Sequence, residues 1–135
     1  MGEGSGGFIL EPARFPGRAP IDAYGNGGFR FADMSHRGSI VALPSGIESW
    51  AVASPADVSP ESLRQVLDEA GAIEVLLVGT GDRLVPLAGP AMAALREAGL
   101  VPDLMSTGAA VRTYNVLLSE GRAVAAGFIA VDLAR

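Results

Sequence analysis

Short apolar runs separated by glycine-rich turns make up the first half of the chain. Ile21–Tyr24 and Phe29–Phe31 flank Asn26-Gly27, the residue pair that a tight type I′ hairpin turn prefers. Ser39–Leu43 and Ile47–Val52 form a second pair of apolar runs around another turn. Runs of this length and spacing are typical of β-strands. We therefore predict antiparallel β-hairpins in the N-terminal half.

The second half alternates helical patterns with strand-like ones. Ile73–Val78 is almost entirely leucine and β-branched residues, which indicates a strand covered on both faces, as in a parallel sheet. Pro102 indicates that its own strand lies near an edge or an irregular point. Strands and helices that alternate with short connections imply right-handed crossovers onto one sheet. The predicted elements are a helix from Ser59 to Gly71, a strand over Ile73–Val78, a helix over Gly89–Glu97, a strand over Leu100–Met105, a helix over Gly108–Glu120 and a strand over Ala123–Val131.

Length and composition fit one globular domain of the α/β class. The chain has 135 residues, of which 49% are hydrophobic and 19% charged, so it can bury a core without disulfides or metals. Residues 1–19 are rich in glycine, proline and arginine and show no period. We predict a flexible N-terminal tail over residues 1–19 and a single domain over residues 20–135.

Composition also excludes several classes of chemistry. The chain has no cysteine, its ten basic residues are all arginine, and His36 is its only histidine. Thiolate nucleophiles, lysine Schiff bases and sites built on two histidines are therefore absent. A net charge of −5 argues against nucleic-acid binding, which needs a basic surface. The N-terminus does not resemble a signal peptide and the apolar runs are too short to span a bilayer, so we expect a cytoplasmic protein without direct membrane insertion.

The loop Gly79-Thr80-Gly81 follows a predicted buried strand, as a dinucleotide-binding fingerprint would. Position 84, where the third glycine of that fingerprint belongs, is Leu84, and the next helix is delayed to about Pro90. Both departures argue against a nucleotide site. The loop is either a tight strand exit that needs glycine or the wall of some other pocket at the strand ends.

The segment Ser106-Thr107-Gly108 places a hydroxyl at the start of a helix that follows a strand. Free N–H groups at such a helix start can bind an anion, although ordinary helix capping explains the same residues. Carboxyl ends of neighbouring parallel strands lie at one edge of a sheet, so both loops can share a pocket. The candidate pocket residues are Gly79, Thr80, Gly81, Met105, Ser106, Thr107 and Gly108.

The helix predicted over Gly108–Glu120 has an apolar and a polar side. At about 100° per residue, Tyr114 falls among the apolar positions, so we expect a core aromatic and not a proton donor. Arg112 and Asn115 fall on the opposite side with Val116 beside them. These three residues are our candidates for contact with a protein partner.

No residue pattern supports catalysis or a metal site. His36 lies in a polar stretch, Asp33–Gly38, which we interpret as a loop between strands, and no nucleophile motif accompanies it. Asp82-Arg83 is interpreted as a solvated turn pair. No two carboxylates are placed as an acid–base couple. We assign no catalytic residue, no metal ligand and no cofactor.

Four segments together resemble the Mth-type domain of unknown function, a family with a mitochondrial member that is an assembly factor for respiratory complex I. They are IDAYGNGGFRF, GSIVALPSGIESW, VLLVGTG and MSTGAAVRTYNVLLSEGRAVAAGFIA, between Ile21 and Ala130. The resemblance implies a three-layer α/β domain with a central mixed sheet between helices, in a bacterial member. The family pattern coincides with Gly79, Thr80, Gly81, Met105, Thr107, Ala110, Tyr114, Asn115, Leu117, Glu120 and Arg122, and it assigns none of them a catalytic role.

Three hypotheses of function follow. The first is a non-enzymatic interaction or assembly protein, which the resemblance links to the biogenesis of a respiratory complex. The alternative is a protein or enzyme that binds a small molecule or anion near Gly79–Gly81 and Ser106–Gly108. The third is homo-oligomerisation through an exposed edge of the N-terminal hairpins.

Overall fold

The computed structural model describes residues 14–134, which form nine β-strands and three α-helices. In chain order these are β1 (Arg14–Phe15), β2 (Ala23–Gly25), β3 (Gly28–Phe31), β4 (Met34–Arg37), β5 (Ile40–Leu43), β6 (Gly46–Ser49), α1 (Arg64–Asp68), β7 (Val75–Gly79), α2 (Gly89–Glu97), β8 (Pro102–Met105), α3 (Thr107–Ser119) and β9 (Val124–Phe128). Residues 1–13 and residue 135 lie outside the described part.

A six-stranded mixed sheet forms the centre of the domain, in the order β1-β6-β5-β9-β7-β8. β7 runs parallel to both β8 and β9, whereas β5 pairs antiparallel with β9 and β6. β8 therefore lies at an edge, as Pro102 predicted. A second, three-stranded antiparallel sheet contains β2, β3 and β4.

The central sheet is buried on both faces, which makes the domain three-layered. Leu76 and Val78 of β7 face a core that includes residues of α1 and α2. Leu77 faces the other core, to which α3 and the three-stranded sheet contribute. Alternate residues of one strand thus enter opposite cores, which explains why the β7 sequence shows no polar position. The predicted α/β class and layered architecture are confirmed.

The first predicted hairpin is confirmed, but the polar loop predicted after it is wrong. Asn26 and Gly27 both have positive φ, 53° and 76°, as a type I′ turn requires. Met34–Arg37, predicted as loop, is instead strand β4, in which His36 lies opposite Phe29. β4 is an edge strand whose alternate residues are exposed. Polar residues suit such a strand, so polarity alone did not distinguish it from a loop.

Several further elements are shorter than predicted, among them β8, which begins at Pro102 and not at Leu100, and β9, which ends at Phe128 and not at Val131. β6 ends at Ser49, although Trp50 and Val52 beyond it are still buried. The first helix occupies only Arg64–Asp68. A turn precedes it, in which the Ser59 hydroxyl accepts a hydrogen bond from the Ser62 N–H (3.1 Å), and a 3-10 turn follows it. By contrast, α2 has the predicted bounds, and α3 differs from its prediction by one residue at each end.

The chain between Arg14 and Ala19, predicted as part of a tail, contacts the domain. Arg14 and Phe15 pair with Glu48 and Ile47 of β6. Ala19 is buried in the core beneath α3. The rest of the predicted tail, residues 1–13, lies outside the described residues.

Gly127 of β9 leaves room for the Trp50 ring to lie against one face of the sheet. A Cβ atom at position 127 would lie 2.7 Å from two atoms of the Trp50 ring. The indole is held in this place because its Nε1–H donates a hydrogen bond to the Ser62 carbonyl (2.8 Å). We expect Gly127→Ala to lower the free energy of unfolding by about 1–3 kcal/mol, because the ring must shift in a packed core. Urea unfolding measures this loss.

The matched control for Gly127 is Gly71→Ala. A Cβ atom at position 71 meets nothing within 4 Å. Stability should therefore be unchanged or slightly raised. Equal losses for both variants would contradict the proposed role of Gly127.

Candidate functional site

The predicted pocket region lies where β7 and β9 end and α3 begins. Gly79, the last residue of β7, lies directly under the first turn of α3. A Cβ atom at position 79 would approach the Thr107 Cα to 2.8 Å and the Ala110 Cβ to 3.1 Å. Glycine at this position thus permits α3 to pack closely on β7.

The Thr107 side chain connects three segments of the chain. Its hydroxyl donates a hydrogen bond to the Ile129 carbonyl (2.6 Å) and accepts one from the Gly81 N–H (3.0 Å). The Thr107 N–H donates to the Gly81 carbonyl (2.8 Å). Thr107 is completely buried. We name this arrangement the threonine joint, because it fixes the end of β9, the loop after β7 and the start of α3 to one another.

Thr80 organises the loop that follows β7. Its buried hydroxyl lies within hydrogen-bond distance of the carbonyls of Arg83 (2.7 Å) and Met105 (3.2 Å), and it accepts from the Val85 N–H (2.9 Å). Its own N–H donates to the Met105 carbonyl (2.8 Å). These bonds fix the loop against the end of β8.

The start of α3 uses most of its hydrogen-bonding groups internally. The Ser106 hydroxyl accepts from the Ala109 N–H (3.2 Å), which is ordinary N-capping. The Ala110 N–H donates to the Ser106 carbonyl (2.9 Å), and the Thr107 N–H is taken by Gly81. An anion at this helix start would have to displace these contacts.

A groove of about 420 Å³, open to solvent, lies on the other side of the Gly79–Gly81 loop. Of the predicted pocket residues, Thr80 and Gly81 line it, whereas Gly79, Met105, Ser106, Thr107 and Gly108 do not. The structure thus places the groove towards β9 and away from the start of α3. Its lining comprises Ala53, Ser54, Pro55, Thr80, Gly81, Asp82, Arg83, Val85, Ile129, Ala130, Val131 and Asp132.

The α3 helix carries the three predicted partner-contact residues. Arg112 and Val116, one turn apart, are exposed, Val116 to 56%. The expected outward orientation of Asn115 needs correction, because its amide is half-buried and bound to a backbone. Its Oδ1 accepts from the Ile21 N–H (2.8 Å) and its Nδ2 donates to the Ile21 carbonyl (2.9 Å). A helical wheel could not reveal a chain segment lying along that side of the helix.

Tyr114 is a core residue, as predicted. Its ring packs edge-on against Phe128, with ring centroids 5.5 Å apart, and its hydroxyl donates to the Ala19 carbonyl (3.4 Å). Burial raises the pKa of Tyr114 to about 12. The phenol is therefore a poor proton donor or acceptor at neutral pH.

The C-terminal end of α3 is fixed by an ion pair. Arg122 contacts both carboxylate oxygens of Glu74 at 3.1 Å, which lowers the pKa of that carboxyl group. Both side chains are partly exposed, so the pair orients the helix end more than it stabilises the domain.

The described residues offer little for acid–base or metal chemistry. Within residues 14–134, no three His, Asp or Glu side chains lie close enough together to hold a metal ion. His36 is half-buried on β4, and burial lowers its pKa. None of the helices in this part of the chain is long and apolar enough to cross a membrane. The cytoplasmic location expected from the sequence stays a prediction.

Comparison with known proteins identifies relatives across most of the chain. A family model described as "Protein of unknown function (DUF498/DUF598)" matches residues 21–129. An uncharacterised protein of Rhodobacter capsulatus is 36% identical over 115 residues, which cover 85% of this chain and 87% of that protein. The mouse NADH dehydrogenase (ubiquinone) 1 alpha subcomplex assembly factor 3 is 32% identical over 120 residues. That match covers 89% of this chain but only 65% of the mouse protein.

Solved structures share the fold. A crystal structure from Bartonella henselae, described as an outer membrane protein, is 58% identical with a TM-score of 0.83, over 87% of this chain and 99% of that one. A solution structure from Bordetella pertussis, described as a Mth938-like domain, is 29% identical with a TM-score of 0.72, over 85% and 89% of the two chains.

We expect Thr107→Val to lower the free energy of unfolding by about 1–3 kcal/mol, because it leaves the Gly81 N–H and the Ile129 carbonyl without their buried partner. The matched control is Thr113→Val, half-buried in the same helix, which should change stability by less than about 0.5 kcal/mol. Chemical denaturation compares them. A Thr107→Val chain as stable as the control would contradict the structural role of the threonine joint.

Tyr114 should make stability fall at alkaline pH. Because its pKa in the folded state, about 12, exceeds the ordinary value of about 10, its contribution is complete below about pH 10 and is lost as pH rises towards 12. The wild-type chain should lose about 2 kcal/mol more than Tyr114→Phe over that interval. Urea unfolding at several alkaline pH values tests this, and identical pH profiles for the two chains would refute it.

Proposed function

Because the chain belongs to the family described as "Protein of unknown function (DUF498/DUF598)", we propose that it is a non-enzymatic protein that assists the assembly of respiratory complex I. The observation that carries this proposal is the similarity to assembly factor 3 of NADH dehydrogenase in mouse and human, both 32% identical over more than four fifths of this chain. The chain spans about 65% of the mouse protein's length.

The roles of the family-pattern residues in this domain support a binding module. Gly79 and Thr107 fix α3 to the sheet, and Tyr114 and Asn115 fix the segment around Ala19–Ile21 to α3. All four residues act within the domain by packing or hydrogen bonding. Such contacts hold α3 rigidly, which lowers the entropic cost of presenting its outer face to another protein.

The outer face of α3 is the proposed contact surface. Arg112 and Val116 lie four residues apart, so their side chains are neighbours on the helix surface. Arginine is enriched in protein interfaces, and an exposed valine adds apolar area beside it. Asn115 lies between them in sequence and connects this surface to the segment at Ile21. The partner is a protein; its identity and any self-association stay predictions.

The alternative is a small-molecule or anion site at the strand ends, and the groove beside Thr80 and Gly81 is the observation that favours it. The groove has the volume of an ordinary ligand pocket. The Ser106 and Thr107 hydroxyls already form hydrogen bonds within the domain, which argues against a ligand site at Ser106–Gly108. The α3 surface is therefore the preferred hypothesis.

Loss of the gene should lower the amount of assembled complex I in the bacterial host. Native gel electrophoresis with an NADH-oxidation stain measures this amount. Restoring the wild-type gene should recover it, whereas Arg112→Glu with Val116→Glu should not, because the change adds negative charge to the proposed contact surface. Arg96→Glu is the matched control, since Arg96 is exposed on α2, which covers the opposite face of the sheet.

Equal recovery by all three genes would refute the α3 surface as the contact. Normal complex I in the deletion strain would refute the assembly role itself. Melting temperatures of the purified variants show whether either change acts through folding.

A further inference from the structure

Residues 14–21, which we name the N-terminal strap, run from the edge of β6 to α3 and bend at Pro16-Gly17. Arg14, Pro16, Arg18 and Pro20 are exposed, whereas the residues between them face inward. Phe15 and Gly17 are half-buried, and Ala19 and Ile21 are buried in the core beneath α3. Exposed and inward-facing residues therefore alternate along the strap, as they do in a strand with one covered face. The surface beneath the strap holds every second residue of this segment.

The hydrogen bonds between α3 and the strap are made to the backbone of the strap. The Asn115 amide pairs with both the N–H and the carbonyl of Ile21, at 2.8 and 2.9 Å. The Tyr114 hydroxyl donates to the carbonyl of Ala19 (3.4 Å). Backbone groups are common to all peptides, so these hydrogen bonds do not depend on the strap's own sequence. Selectivity comes from the buried positions of Ala19 and Ile21.

The strap makes further contacts at the edge of the sheet and near the end of α3, and the half-buried Phe15 packs against the core. Within the described residues, β1 pairs with β6 through Arg14 and Phe15, and the Arg14 side chain, which forms an ion pair with Glu48 at 3.4 Å, is largely exposed. The Arg18 guanidinium donates to the carbonyl of Arg122 at the end of α3. Pro16 and Pro20 have no N–H to donate. Removing the strap leaves the ladders from β6 to β8 intact, so its opening does not require the central sheet to come apart.

We propose that the strap is displaceable and that the surface beneath it docks an extended segment of a protein partner. The partner segment has the chemistry of the strap: a small residue and a branched aliphatic residue two positions apart, in an extended conformation. The proposal rests on the assembly role in that it assumes a protein partner. It extends the contact surface from Arg112 and Val116 across Asn115 to the edge of β6.

Exchange of one extended segment for another conserves the contacts. The incoming backbone takes over the Asn115 amide and the edge of β6, and its side chains refill the positions of Ala19 and Ile21. No buried polar group is left without a partner, so displacement costs much less than simple opening. Asn115 thus acts as a receptor for peptide backbone, which accounts for an amide between two exposed residues of α3.

The test uses a synthetic peptide with the sequence of residues 14–22, capped at both ends. When this peptide is titrated into the full chain labelled with ¹⁵N, the NMR signals of the Asn115 side-chain amide and of the Ile21 backbone N–H should shift in a saturable manner. A peptide with Ile21→Asp should bind at least about tenfold more weakly, because burial of an isoleucine side chain is worth that factor.

A locked strap provides the matched control. Arg14→Cys with Glu48→Cys places two cysteines opposite each other in a chain that has no other, at a separation that a disulfide can span. Oxidised, this variant should bind the wild-type peptide at least about tenfold more weakly, and reduction should restore binding.

Three results would overturn the proposal. They are a full chain that takes up no peptide at millimolar concentration, equal binding of the wild-type and Ile21→Asp peptides, and equal binding by the locked and reduced variant. The peptide experiment uses the purified chain alone. It can therefore fail while the deletion strain still loses complex I, and it can succeed when complex I is normal.

Discussion

The position of α3 depends on the buried hydroxyl of Thr107. This group bonds to the Ile129 carbonyl at the end of β9 and to the Gly81 N–H in the loop after β7. A hydroxyl can donate and accept at once, which is what a point where three chain segments meet requires. Valine has the same shape but neither ability, so the hydrogen-bonding requirement decides the residue type here.

Once its start is fixed, α3 organises the layer on its face of the sheet. Gly79 allows the helix to lie close to β7, and Tyr114 packs edge-on against Phe128 of β9. Further along, Asn115 binds the chain at Ile21, and Arg122 joins the helix end to Glu74. The same helix therefore supports the core on one side and presents Arg112 and Val116 on the other. The contacts of its inner face hold the helix in place against the sheet.

The sequence predicted those parts of the fold that depend on local pattern. The bounds of α2, the start of α3, the hairpin at Asn26-Gly27 and the edge position of β8 all follow from turn chemistry, capping or periodicity. β4 was missed because an exposed edge strand and a polar loop have the same composition. The first helix was predicted too long because capping at Ser59 starts a turn that does not continue as α-helix before Arg64.

Part of the arrangement at the strand ends was predictable from the sequence. The loops after β7 and β8 were expected to lie at one edge of the sheet, and hydrogen bonds from Thr80 to Met105 and from Gly81 to Thr107 join them there. The hydrogen bond of the Thr107 hydroxyl depends on Ile129, which follows the end of β9. The two residues are too far apart in sequence for any local pattern to connect them. Asn115 shows the same limit, since its partner Ile21 lies 94 residues away.

We propose that the domain works through the α3 surface and that the strand ends serve structure. Hydrogen–deuterium exchange of the chain bound to isolated complex I assembly intermediates tests it most directly. The account predicts slower exchange in α3 and around Ile21, with no change in the loops at Thr80–Val85 and Ala53–Pro55. Protection confined to those two loops, with α3 unchanged, would contradict it.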